Sequence, residues 1–502
     1  MRGTIFFVAS VWGPCSALVS SRVKGITAVS SKPPLLLSPK SLSIPQEVMG
    51  RKTVKHTPVT KTSPPVTSPS SSKSLLTASL LKSIVGGGIL AVPASIASLH
   101  AGDFSIPIAV TLVALMAAMY AYTFSLLGKV CAHTGASTYT EAWEKTMGKE
   151  TAPIASTILS MKTTMACVAY SMILADSAQS FTHLSRLDSL LGVTLFGLLP
   201  LCLLPDLTSL APFCLAGVVC FVLTAAAMLV RLLDGSYSAI PPPIVDALTA
   251  VEGPDVFNEP AVASVLQESS SIVVPTGHSE FDVLQIVGMA CTLAGAFVAH
   301  YNAPRLYSEL STKKVSSASS TQEDDFSQIT TVAFGISALL TAFVGIVGFE
   351  TFGSGSAPIV LANYASNDAL MRMCQCLITL SLVFTFPLPF VGLRDSLKDQ
   401  YSTIDDRTLS LVLLTAITTA AASCNDLALF LQVGGGTVST AVAAVLPTLM
   451  YQNMTATTKK DRSLKGGAGS SFRSFIPDAV MYASIAVGTT GVSQALYHAW
   501  SG

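Results

Sequence analysis

Residues 82–93 read KSIVGGGILAVP: a cation, Lys82, then three glycines, Gly86, Gly87 and Gly88, and a closing Pro93. Each glycine inside a helix costs about 1 kcal/mol relative to alanine. Three in a row within an apolar run mark a place where a helix is expected to unwind. Unwinding within a bilayer exposes main-chain groups that lipid cannot satisfy and that a bound ligand can. A half-helix starting near Gly88 aims N–H groups and a positive dipole end at the break, which suits a carboxylate. The carbonyls that end the preceding half-helix, near Ser83 and Ile84, suit an ammonium group. A ligand bearing both charges fits both ends. The competing reading is close helix packing through small residues.

A second interruption is expected in VLQIVGMACTLAGAFVAHYNAPRLY, residues 283–307, which carries Gly295 and then Asn302 and Pro304. A break near Gly295, Ala296 and Phe297, with His300 beside it, would complete a cage around the first.

The elements that must hold these breaks are helices of bilayer length. Half of the 502 residues are apolar, 12% are charged, and the formal net charge is zero. A soluble chain would carry about a quarter charged residues. The apolar residues fall into blocks of roughly 20, enough to span hydrocarbon. Spans are expected at 75–99, 105–130, 152–182, 189–206, 208–233, 281–305, 329–352, 369–393, 408–424, 427–451 and 476–500. The fourth and ninth are the shortest, and PDLTSLAP at 205–212 turns the chain between the fourth and fifth. Together they make one polytopic domain over residues 75–502, embedded in a lipid bilayer. Two breaks, one opening each set of five spans, are the pattern of an inverted-repeat transporter.

Orientation follows from lysine and arginine in the loops. With the N-terminus in the cytoplasm, cytoplasmic loops hold Lys129, Lys145 and Lys149, then Lys313 and Lys314, then Arg394, Lys398 and Arg407, then Lys459 through Arg473. The opposite loops hold little beyond Arg186, and the long loop from 234 to 282 has eight acids and no lysine or arginine. The C-terminus is therefore expected outside the cytoplasm or in a lumen.

Residues 1–74 differ, with ten Lys or Arg and one acid, Glu47, among many Ser, Thr and Pro. Such a segment does not build a core. TIFFVASVW near its start resembles the apolar region of a targeting presequence. A disordered cytoplasmic tail is the other reading. Vacuolar or other endomembranes, the plasma membrane and a plastid envelope all fit, the last through this basic tail. Of the ten cysteines most lie in apolar blocks, and the CQC at 374–376 has no metal-box spacing. No cofactor or metal is expected. A neutral chain argues against nucleic acid as a partner. The sequence has no P-loop, HExxH box or GxSxG elbow, and GGGTV at 434–438 lies in an apolar span. The chain does not read as an enzyme.

Five stretches together resemble the amino acid/auxin permease family, within it the sodium-coupled neutral amino acid transporters and their vacuolar relatives. KSIVGGGILAVP resembles a first-helix pattern I-V-G-S-G-I-L-x-x-P, and FVAHYNAPRLYSEL at 297–310 the sixth-helix F-V-x-H with a later Y-x-E-L. GFETFGSGSAPIVLANY at 348–364 matches a seventh-helix end, and FTFPLPFVGLRDSL at 384–397 an eighth-helix T-x-P with R-x-S. VGGGTVSTAVAAVLPTLMY at 433–451 matches the tenth helix. The resemblance covers about residues 75–500. It implies an all-α member of the amino acid–polyamine–organocation superfamily with the leucine-transporter-type fold. Ten helices would form two inverted repeats with helices 1 and 6 broken, and an eleventh would be peripheral.

The activity implied is secondary transport of amino acids, neutral ones by default, with an amino acid as the partner that fills the cage. Substrate contacts would come from Ser83, Ile84, Gly86, Gly87, Gly88, Gly295, Ala296, Phe297 and His300. Lys82 departs from the family, whose sodium-coupled members carry Asn there as a cation ligand shared with the eighth helix. The matching eighth-helix residues are Thr385 and, one turn away, Ser381. An ammonium cannot coordinate sodium and repels it, whereas a desolvated lysine can take up and release a proton. Proton coupling or sodium independence is therefore expected. The alternative for Lys82 is snorkelling to the interface, roughly 10 Å away.

Other intramembrane polar groups are Lys162 and Asp176, about 21 Å apart along one helix and so not paired, and Glu350 near the outer end of the seventh span. Glu309, beside Arg305, suits a cytoplasmic gate or cap. The alternatives to transport are a membrane-resident amino acid sensor and a carrier of another small organic acid.

Overall fold

The apolar blocks fold as helices, and no strand occurs among the described residues. A computed structural model describes residues 69–182, 184–203, 211–237, 283–312, 319–398, 405–424, 426–463 and 475–501. The tail 1–68, most of the acidic loop and the turn at 204–210 lie outside the described residues. The expectations placed on them lie there too.

Among the described residues eight helices are long and apolar enough to cross a membrane, and a ninth span is made by a bent pair. That pair is the first span: Pro69–Ile84, a 3-10 turn at Gly87–Ala91 and Val92–Ala97, with a 46° bend between the halves. The two expected spans that fall short of this length or apolarity are helical over most of their expected ranges among the described residues. The fourth is Arg186–Gly192, a π-turn at Val193–Leu198 and Leu199–Cys202. The ninth, Asp406–Ser423, carries Thr415, Thr418 and Thr419, whose hydroxyls each donate to a carbonyl one turn back. That local bond lets a hydroxyl-rich helix lie in an apolar setting.

The remaining spans are Ser105–Thr134, Ala152–Thr182, Ala211–Leu233, Ser319–Phe352 and Phe475–Ser501, with three interrupted ones. The sixth runs Val283–Phe297, a 3-10 turn at His300–Asn302, then Ala303–Thr312. The eighth kinks where Ala369–Thr385 meets Pro387–Lys398. The tenth joins Leu427–Gly434 to Leu446–Ser463 through two π-turns. In chain order the helices make two sets of five, each opening on a broken helix, with an eleventh packed against the sixth and tenth.

Helix starts are fixed by side chains that accept otherwise unpaired N–H groups. Asp368 accepts from the amides of Leu370 and Met371, Asp405 from Thr408 and Asp426 from Leu429. Asp368 is also gripped by Arg231, with Nε and Nη2 each 2.7 Å from a carboxylate oxygen, and by the Tyr237 hydroxyl at 2.9 Å. This bidentate pair ties the end of the fifth span to the start of the eighth.

Two apolar clusters fill the bundle, and the first span belongs to both. Leu76, Leu80, Ile84, Val92 and Ile96 pack with the second, sixth and seventh spans. Val85, Ile89 and Leu90 pack with the third, fifth and eighth. The half-helix after the break is seated on glycines of the seventh span. A Cβ on Gly348 would lie 2.6 Å from Pro93 Cγ, and one on Gly345 would lie 2.9 Å from Val92 Cγ1. The sixth and tenth spans approach more closely still, since a Cβ on Gly435 would lie 1.7 Å from the Cys291 carbonyl oxygen.

Backbone cannot yield as a side chain can, so Gly435→Ala is expected to destabilise the fold by the upper end of the overpacking range, about 3 kcal/mol. Gly392→Ala, where an added Cβ meets nothing within 4 Å, should leave stability unchanged or raise it by up to about 1 kcal/mol. Thermal unfolding of the two purified variants in detergent checks the contrast, and equal midpoints would refute the close approach.

Candidate functional site

The first break begins where the helix ladder stops at Ile84. Val85 still donates to the Leu81 carbonyl, but Gly86 is extended, with φ −143° and ψ −170°, and the next helical turn starts at Gly87. That start has no side-chain cap. The sixth span is interrupted two residues later than expected: its first helix continues through Gly295 and Ala296 to Phe297, and the chain unwinds at Val298 and Ala299. Gly295 is therefore helical. It faces the tenth span, with the Gly435 Cα 3.6 Å from where its Cβ would be, an ordinary van der Waals contact. The restart at His300 also lacks a side-chain cap.

The two interrupted spans meet. A Cβ on Gly88 would lie 3.2 Å from the Cα of Ala296. The Asn302 amide donates to the Ser83 hydroxyl at 3.1 Å, joining the turn of the sixth span to the last turn before the first break. Ser83, Gly86, Gly88, Gly295 and Ala296 keep partial exposure, while Ile84, Gly87 and Phe297 are buried.

The third span supplies a wall that sequence reading missed. A Cβ on Gly86 would lie 3.2 Å from the Tyr170 hydroxyl, and one on Gly87 would lie 2.7 Å from Ile173 Cδ1 and 4.0 Å from Leu382. Tyr170 and Ile173 are three apart and share a helix face. Their sequence signal is one tyrosine in an apolar run, which periodicity cannot distinguish from core.

Lys82 and Ser381 are brought together. The ammonium donates to the Ser381 hydroxyl at 3.2 Å and lies 5.5 Å above the ring of Phe221. Lys82 is 6% exposed, so its head is held inside the bundle rather than extended to an interface. Thr385 is buried one turn from Ser381, and its hydroxyl donates to the Ser381 carbonyl at 2.7 Å. The space for the ammonium is opened by Gly217 of the fifth span, another residue that sequence reading missed. A Cβ there would lie 2.2 Å from the Ser381 hydroxyl and 2.8 Å from the Lys82 Nζ.

His300 is placed away from the break, toward the second span. It is fully buried, and its Nε2 lies 3.2 Å from the Tyr120 carbonyl and 2.9 Å from the Thr123 hydroxyl. A carbonyl only accepts, so Nε2 carries the proton. Rings of Tyr120, Phe124 and Phe334 meet the imidazole edge-on. The remaining polar candidates are dispersed. Asp176 pairs with Arg186 at 2.8 Å, Arg305 with Glu309 at 2.9 Å, Lys162 is buried and Glu350 is exposed.

The Gly217 contact gives a direct check on the lysine's position. Gly217→Ala is expected to displace the Lys82 head and cost about 1–3 kcal/mol in thermal stability. The double variant Gly217→Ala/Ser381→Ala removes the nearest colliding atom and should recover most of that loss. No loss in the single variant would show that the ammonium lies elsewhere.

Residues 70–468 match the family model described as transmembrane amino acid transporter protein. Amino acid transporter AVT3C of Arabidopsis thaliana is 26% identical over 39% of this chain and 44% of its own. Vacuolar amino acid transporter 2 of Saccharomyces cerevisiae is 25% identical over 33% of this chain and 35% of its own. The matched stretches thus span less than half the length of these curated relatives. A crystal structure of a manganese transporter variant from Eremococcus coleocola overlays on 85% of this chain and 95% of that one, with 10% identity and a TM-score of 0.46. Matched by its family model over most of its length, the chain belongs to the transmembrane amino acid transporter family.

Proposed function

We propose that the protein is a secondary active transporter that moves neutral amino acids across a membrane by alternating access, coupled to protons or running without sodium. The observation that carries this reading is the pair of uncapped helix starts at Gly87 and His300 in adjoining broken spans. Open N–H groups at Gly87 suit the substrate carboxylate, and the carbonyls near Ser83 and Ile84 suit its ammonium. The side chains against the first break are Tyr170, Ile173, Leu382 and Ala296, all uncharged. That lining supports neutral substrates over charged ones.

Lys82 supports the coupling part of the proposal. Its ammonium occupies a position between the first, fifth and eighth spans, where it lies against Ser381 and Phe221. Two like charges a few ångströms apart in a low dielectric repel by several kcal/mol, so sodium is excluded while Lys82 is protonated. Loss of its proton would remove both that charge and its hold on the eighth span. Because the first span is packed into both apolar clusters, rocking one cluster against the other moves the break itself.

We place the protein in an endomembrane such as the vacuolar one, with the N-terminus cytoplasmic. Similarity to the yeast vacuolar amino acid transporter 2 and the basic loops support that placement.

Uptake of radiolabelled alanine into proteoliposomes tests the proposal. Replacing sodium with choline should leave uptake unchanged, and an imposed pH gradient should raise it. Lys82→Ala should abolish the response to the gradient while the purified variant stays folded. Sodium-dependent uptake would refute the coupling. Binding of alanine without accumulation under any gradient would refute transport and favour a sensor.

A further inference from the structure

A cleft of about 400 Å³ lies between the second and seventh spans, away from the breaks. The two helices touch beside it, where a Cβ on Gly128 would lie 2.5 Å from the Phe326 ring. Along the cleft the second span presents the small residues Ala118 and Ala121. At its other end stand Lys129 and Glu323. Lys129 is exposed, five residues before the second span ends at Thr134, and Glu323 is half-buried near the start of the seventh. Ala118 and Lys129 are about 16 Å apart along the helix. One end of the cleft is therefore at headgroup depth and the other deep in hydrocarbon.

Lys129 and Glu323 line the same cleft but do not pair, and neither makes a hydrogen bond or ion pair with another described residue. A cation and an anion left unpaired among the described residues, above a cleft that mixes small and aromatic residues with the hydroxyls of Ser125, Ser327 and Thr331, complement an amphiphile that bears both charges at its head. We propose that this cleft holds one zwitterionic phospholipid, its phosphate on Lys129 and a primary ammonium on Glu323, with an acyl chain along Ala118 and Ala121. A primary ammonium can donate hydrogen bonds to the carboxylate, which a quaternary one cannot. An anionic headgroup would satisfy Lys129 and be repelled by Glu323. The lipid would brace the second span, whose Tyr120 and Thr123 hold His300, against the seventh, which seats Pro93.

Native mass spectrometry of the full chain, with phosphatidylethanolamine, phosphatidylcholine or phosphatidylglycerol added to the delipidated protein, reads the proposal. One phosphatidylethanolamine should be retained roughly tenfold more tightly than the other two, the value of one charge-assisted hydrogen bond. Lys129→Ala and Glu323→Gln should each lower its retention by about the same factor. Ala121→Trp, which fills the cleft and keeps both charges, should abolish retention. Thermal unfolding confirms that the variants remain folded. Retention unchanged in the three variants, or phosphatidylglycerol bound as tightly as phosphatidylethanolamine to the protein with Glu323 intact, would overturn the assignment.

Discussion

Main-chain N–H and C=O groups left open inside a bilayer must find partners, and that requirement governs the bundle. Between Ile84 and Gly87 the first span gives up its ladder, and between Phe297 and His300 the sixth does the same. Each orphaned amide or carbonyl costs several kcal/mol in hydrocarbon. The two breaks therefore face each other rather than lipid, with Gly88 against Ala296 and Asn302 bonded to Ser83.

Holding two broken helices in register takes unusually close packing elsewhere. The second half of the first span rests on Gly345 and Gly348 of the seventh, and the first half of the sixth span rests on Gly435 of the tenth. In each case the missing Cβ lets a neighbour approach within van der Waals contact. The seats at Gly348 and Gly435 are rigid because proline and backbone form them. The first span is gripped on one side by the cluster that includes the sixth and seventh spans and on the other by the cluster that includes the third, fifth and eighth.

Charge is distributed to match. Inside the bundle the Lys82 ammonium is solvated by a hydroxyl and an aromatic face. At the rim, Arg231 and Asp368 fasten the fifth span to the eighth with two parallel hydrogen bonds, while Asp368 also caps the eighth helix. The eighth span is thus tied to the fifth at its start by a bidentate pair and faces Lys82 further along at Ser381. Those ties differ in kind: the first joins two opposite charges bidentately, and the second includes a hydrogen bond from an ammonium to a hydroxyl.

The sequence alone determined the helical class, the placement of the spans and the break at the glycine triplet. Each is written in local terms: apolar runs of bilayer length, and three residues with no helix preference in succession. It located the sixth-span break two residues early, because Gly295 reads as a helix breaker when its neighbours are unknown. The tertiary structure placed this glycine within the helix, facing the tenth span, while the unwinding falls at Val298 and Ala299. His300 likewise read as part of the cage and lies against Tyr120 and Thr123. Tyr170, Ile173 and Gly217 had no local signal that sets them apart from core. Their positions depend on how helices from distant parts of the chain cross, and a pattern along one helix does not encode which neighbour fills the space beside it.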